Sequence, residues 1–80
     1  MFYVYVIQSE KDNRLYKGLT TNLELRLYQH NSGQNKSTKA YCPWRLLLKE
    51  VFSTREEARM REKFLKPGIG REYLKERFKK

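Results

Sequence analysis

Apolar and aromatic side chains run unbroken from Phe2 to Ile7. Their β-branched and aromatic make-up predicts a strand. The two-residue period places Tyr3 and Tyr5 on one face and Val4 and Val6 on the other. Both faces therefore have side chains to bury, as in the central strand of a sheet. Ser9 to Asn13 is polar and turn-forming, and an extended pattern resumes from Arg14 to Lys17 and ends at Gly18. The pair predicts a β-hairpin. A helical pattern follows. Thr21 with Glu24 three residues on has the spacing of a capping box, which predicts a helix from Asn22 to about His30. Leu23 and Leu27 form its apolar stripe, widened by Leu25 and Tyr28. Asn22, Arg26 and His30, each four apart, share one ridge, and Gly33 is the expected stop.

A polar, basic loop from Ser32 to Tyr41 leads to Pro43 and a third strand, Trp44 to Phe52. There Trp44, Leu46 and Leu48 alternate with Arg45, Leu47 and Lys49. Ser53 and Thr54 are two candidate caps, with Glu56 and Glu57 in reach, for a helix from Arg55 to Lys66. Pro67-Gly68 breaks it, and Gly70 to Phe78 can form a last helix through the pairs Ile69–Tyr73 and Leu74–Phe78. The order is β-β-α-β-α-α. The economical solution at this length is an α/β fold of the α+β kind: a three-stranded antiparallel sheet, the third strand beside the first, flanked by helices in one domain spanning 1–80.

Charge changes the picture. Lys and Arg number 18 against 9 Asp and Glu, a net +9 on 80 residues. A small surface so charged carries a positive potential, and nucleic acid is the first partner it suits. One Trp, six Tyr and four Phe supply the core. Cys42 is the only cysteine, so no internal disulfide forms and a reducing cytoplasm is the expected compartment. Met1 leads directly into strand pattern with no basic leader. No apolar run approaches the ~20 residues of a membrane span. A monomer with no small-molecule cofactor is expected.

Cleaving a phosphodiester requires an activated water, stabilised phosphoryl charge and help for the departing oxygen. Tyr5 and Tyr16, on neighbouring strands, can share a face, and the Arg26–His30 ridge follows on the next helix. Each residue alone has an ordinary explanation: strand tyrosines pack, helical arginines are solvated, and a lone histidine is more often structural. Together they form a convergent polar set.

This set resembles the opening of a GIY-YIG nuclease domain. Tyr3-Val4-Tyr5 stands where the family has its first tripeptide and Tyr16-Lys17-Gly18 where it has its second, with Arg26 at the position of the family's helical arginine and His30 one turn on. Ala58 to Lys66 resembles the later helix, which makes Glu62 the match to the family's metal-binding glutamate; Ser37-Thr38-Lys39 and Pro43-Trp44 also resemble small stand-alone members. Periodicity alone does not select Glu62 over Glu57, and reads it as a solvated helix residue. The resemblance implies metal-dependent hydrolysis of DNA, with RNA the alternative nucleic acid. It makes Tyr16 the base or proton relay, assisted by Tyr5. Arg26 would be the phosphoryl clamp, His30 an aid to proton transfer or phosphate orientation, and Glu62 the ligand of one Mg²⁺ or Mn²⁺. Lys17, Lys36, Lys39 and Arg45 are candidate phosphate contacts, together with the basic C-terminus.

The chain departs from the family in three places. Lys17 replaces isoleucine, Leu19 and Thr20 occupy a region where some members carry lysine, and no asparagine follows Asn35. The missing C-terminal asparagine favours the rival reading, a basic nucleic-acid-binding module without chemistry.

Overall fold

β1 (Phe2–Ser9) lies at the centre of a three-stranded antiparallel sheet, between β2 (Leu15–Thr20) and β3 (Trp44–Phe52), in the order β2-β1-β3. α1 (Leu23–Asn31) links β2 to the long loop before β3, and α2 (Arg55–Leu65) and α3 (Gly68–Arg77) complete the chain. This computed structural model describes residues 1–77, without the side chains of Ile69 and Arg71. The expected pairs Ile69–Tyr73 and Leu74–Phe78, and the last basic residues, lie wholly or partly outside that set.

The alternation in β1 divides the core in two. Val4 and Val6 face α2 and α3, forming a cluster with Leu48, Ala58, Leu65 and Leu74. Tyr5 and Ile7 face the other way, in a cluster with Trp44 against which Leu23 and Leu27 of α1 pack. Each fully buried aliphatic side chain contributes roughly 1.5–3 kcal/mol, so β1, buried on both faces, anchors both layers.

Three expectations are corrected. The first concerns β3, where Trp44 and Leu48 do not share a face. The β1–β3 register slips between Val6/Leu48 and Ile7/Leu46, leaving Leu47 as an extra residue. A bulge of one residue reverses the phase of the alternation, so Trp44 joins the Tyr5 cluster and Leu48 the Val4 cluster. The second concerns the cap of α1, which is Asn22 rather than Thr21. The Asn22 side chain accepts from the Leu25 amide at 3.1 Å. Thr20, two residues earlier, bonds the Asn22 backbone and sets that entry. Thr21 is exposed. The third concerns the apolar stripe of α1, which is narrower than its sequence suggests. Leu25 and Tyr28 are 50% and 62% exposed, because one sheet face meets only the Leu23–Leu27 side.

Two ends also differ, since β2 runs through Gly18 to Thr20 and α3 starts at Gly68 rather than Gly70; two others follow their signals. Gly33 takes φ +81° just past α1, a left-handed conformation that glycine adopts without a Cβ penalty. Thr54 caps α2, its hydroxyl accepting from the Glu57 amide and donating to the Glu57 carboxylate at 2.9 Å. Arg61 of α2 grips Glu50 of β3 with two hydrogen bonds and reaches the Tyr73 hydroxyl of α3, tying the three elements together.

Candidate active site

The site begins with the hairpin register. Tyr5 lies opposite Gly18 and Tyr16 opposite Ile7, so the two tyrosines share the α1 face, their rings 6.4 Å apart. Gly18 makes room: a Cβ there would sit 2.5 Å from the Tyr5 hydroxyl oxygen. The phenol of Tyr5 lies across that bare backbone and is 1% exposed. Tyr16 remains half-buried.

α1 then brings His30 onto the same face. His30 is fully buried, with Nε2 3.0 Å from the Tyr5 hydroxyl and Nδ1 2.7 Å from Oγ1 of Thr38. Tyr16 packs edge-on against the imidazole at 4.9 Å. Trp44 closes the far side, its indole N–H donating to the Thr38 carbonyl at 3.0 Å. Asn31, next to His30, fixes the end of the helix by donating to the Trp44 carbonyl and accepting from the Trp44 amide.

The electrostatics show which charges reach these rings. Burial pushes the Tyr5 hydroxyl well above the ordinary phenol value; Tyr16 and Glu62 add to the rise and Arg26 opposes it. Burial also lowers the pKa of His30, and the nearby Arg26 guanidinium lowers it further. Both groups are thus held neutral. Charges on β2, α1 and α2 thus act electrostatically on one hydroxyl, while the groups in contact around it are Tyr16 and His30.

Glu62 extends from α2 with its side chain 14% exposed, paired with Lys66 at 3.2 Å. It is more sheltered than a solvated helix residue. Among the described residues no group of three or more His, Cys, Asp or Glu side chains converges. The candidate donor is therefore the Glu62 carboxylate. It does not form a cage for zinc, but it fits Mg²⁺ or Mn²⁺, which keeps most of its water ligands.

The four expected phosphate contacts are not gathered on one face. Lys17 lies opposite Val6 and Arg45 opposite Gln8, which puts both on the α2 side of the sheet. Arg45 donates to the Gln8 side chain at 2.9 Å. Lys36 and Lys39 are exposed on the loop after α1 and flank the buried Thr38. Sequence reasoning passed over Thr38 as a partner of His30. The contact spans eight positions through an irregular loop, where no periodicity signals it.

The model of the GIY-YIG catalytic domain family matches residues 1–77. A UPF0213 protein of Staphylococcus haemolyticus is 43% identical over 74 residues, which cover 91% of this chain and 89% of that one. A UPF0213 protein of Clostridium perfringens is 42% identical over 67 residues, 82% of this chain and 71% of that one. Among solved structures, the solution NMR structure of a UPF0213 protein from Bacillus halodurans aligns with a TM-score of 0.57 at 33% identity, covering 92% of this chain and 82% of that one.

Proposed function

The chain belongs to the GIY-YIG catalytic domain family, a nuclease family, and from that premise we propose that it hydrolyses DNA phosphodiester bonds with the help of one divalent cation. The observation that carries the reading is the gathering of Tyr5, Tyr16 and the buried His30 on one face of the sheet, with the Tyr5 hydroxyl 3.0 Å from Nε2 of His30.

Tyr16, half-buried where Tyr5 is fully buried, is the phenol assigned to the attacking water. Tyr5 lies behind it, hydrogen-bonded to a neutral imidazole. As the water oxygen bonds to phosphorus and the bond to the departing oxygen breaks, Tyr16 relays the water's proton to solvent, solvent returns one to the departing oxygen, and the Tyr5–His30 pair holds the Tyr16 ring from behind. Such proton transfer by a placed side chain contributes about 10²–10⁴-fold. Arg26 meets the charge on the phosphoryl oxygens with its planar fork. Its charge also favours the neutral imidazole. Glu62 holds the cation; when bound, the cation supplies charge to the phosphoryl and departing oxygens. Lys36 and Lys39, on the loop leaving the site, contact the phosphate backbone.

The test is cleavage of a panel of nicked, branched, single-stranded and duplex DNA with Mg²⁺, with Mn²⁺ and with chelator. Cleavage that needs the metal supports the reading. Salt-sensitive binding with no cleavage under any metal supports the binding-module reading instead, which the Glu62–Lys66 pair favours because Lys66 already pairs with the carboxylate proposed to hold the cation.

A further inference from the structure

Tyr5, His30 and Thr38 are all buried and their polar atoms form a single row. The Tyr5 hydroxyl meets Nε2 of His30 at 3.0 Å, Nδ1 meets Thr38 Oγ1 at 2.7 Å, and Oγ1 meets the Asn35 carbonyl at 3.5 Å. Distances do not reveal which atom of each pair carries the hydrogen; the accounting of donors and acceptors does.

Among the described residues, Nε2 is the one hydrogen-bond partner of the Tyr5 hydroxyl. A buried phenol must donate its hydrogen or leave it unsatisfied, at a cost of roughly 1–3 kcal/mol. Nε2 is therefore the acceptor and carries no proton. A neutral imidazole with a bare Nε2 bears its proton on Nδ1, and Thr38 Oγ1 stands there to accept it. Thr38 then turns its own hydrogen toward the Asn35 carbonyl. In this direction every hydrogen has an acceptor. In the reverse direction Nε2–H would point at the Tyr5 oxygen and the phenol hydrogen would have none. Burial, which keeps both Tyr5 and His30 uncharged, agrees with this assignment.

We propose that Thr38 is a positioning residue: its hydroxyl accepts Nδ1–H of His30 and thereby holds the imidazole in the tautomer whose Nε2 accepts from the Tyr5 hydroxyl. The backbone of Thr38 is fixed for this task. Its carbonyl accepts from the Trp44 indole and the Tyr41 amide, and its amide donates to Asn35. The kinetic consequence rests on the hydrolytic reading above; the tautomer does not.

The chain has one histidine, so the imidazole nitrogens are assigned without ambiguity in a ¹⁵N-labelled sample. Long-range ¹H–¹⁵N spectra of the wild type, Thr38→Val and Thr38→Ser are compared near neutral pH, alongside steady-state cleavage. The wild type and Thr38→Ser are expected to show the proton on Nδ1. Thr38→Val is expected to move it wholly or partly to Nε2 and to lower kcat roughly 10- to 100-fold, the usual loss when an orienting hydrogen bond behind a reacting group is removed, with KM little changed and Thr38→Ser near the wild type. A wild-type proton on Nε2, or a Thr38→Val chain that keeps both the Nδ1 proton and its kcat, overturns the proposal. If Thr38→Val does not fold, Thr38→Ala carries the same readings. A wild type that shows Nδ1–H yet cleaves nothing overturns the hydrolytic reading and leaves the tautomer assignment standing.

Discussion

The hydroxyl of Tyr5 occupies the space that a side chain on Gly18 would fill. The two are cross-strand partners, and a Cβ on Gly18 would lie 2.5 Å from the Tyr5 oxygen and 2.6 Å from the ring carbon that bears it. An aromatic ring laid over a strand glycine also repairs the packing that glycine leaves open. Gly18→Ala is therefore expected to displace the ring and stretch its bond to His30. Forcing one extra carbon into a packed site costs about 1–3 kcal/mol. A chemical denaturation midpoint that does not move would show that the ring yields freely.

The start of α1 gives a second prediction. Asn22 accepts from the Leu25 amide, so Asn22→Ala should cost about 1 kcal/mol, the typical loss of an N-cap. Thr21→Ala should change stability by less than about 0.5 kcal/mol, as at an exposed position without such a contact. Paired urea denaturation curves decide it, and equal losses would return part of the cap to Thr21.

These two sites show what the sequence could reveal. The shared face of Tyr5 and Tyr16 was legible because strand parity fixes it once the hairpin is recognised. The sandwiching of β1 was legible in its unbroken apolar run. The cap was misread by one residue because Thr21, Asn22 and Glu24 offer two overlapping signals, and the choice depends on how Thr20 turns the chain. Trp44 and Leu48 were assigned to one face because a bulge at Leu47 has no marker such as glycine. Arg26 and His30 were placed on one ridge by helical spacing, but nothing in that spacing showed that His30 is buried and Arg26 only half-buried. Glu62 depends on how α2 is rotated against the sheet, which its own periodicity leaves undecided.

Burial of His30 makes stability depend on pH. Its pKa is lowered in the folded chain, by burial first and Arg26 second, while the unfolded chain titrates near the ordinary value of about 6.5. Below that value the unfolded state binds more protons, so stability rises with pH in this window. Stability should be full above about pH 6.5, fall as the pH drops below it, and level off below the folded pKa as far as His30 is concerned. Urea unfolding from pH 5 to 8 measures this. His30→Asn should flatten the slope between about pH 5.5 and 6.5, above the range where carboxylates titrate. A slope that persists in that variant would trace to other groups.

Glu62→Gln separates chemistry from folding and binding. The amide keeps almost the volume of the carboxylate, and the lost ion pair with Lys66, itself 55% exposed, is of the kind that contributes little to stability. The thermal midpoint should therefore stay close to that of the wild type. DNA affinity should hold or tighten, since one negative charge leaves a surface that already carries net +9. What the variant loses is the charge that attracts a hard cation, and among the described residues no group of three or more potential ligands converges to replace it. Cleavage should then fall by several orders of magnitude, the scale of a metal's contribution to a phosphoryl transition state. Melting, DNA binding and Mg²⁺-dependent cleavage measured on one preparation distinguish the outcomes. Undiminished cleavage would remove Glu62 from the metal site. Loss of folding along with cleavage would make Glu62 a structural partner of Lys66 instead.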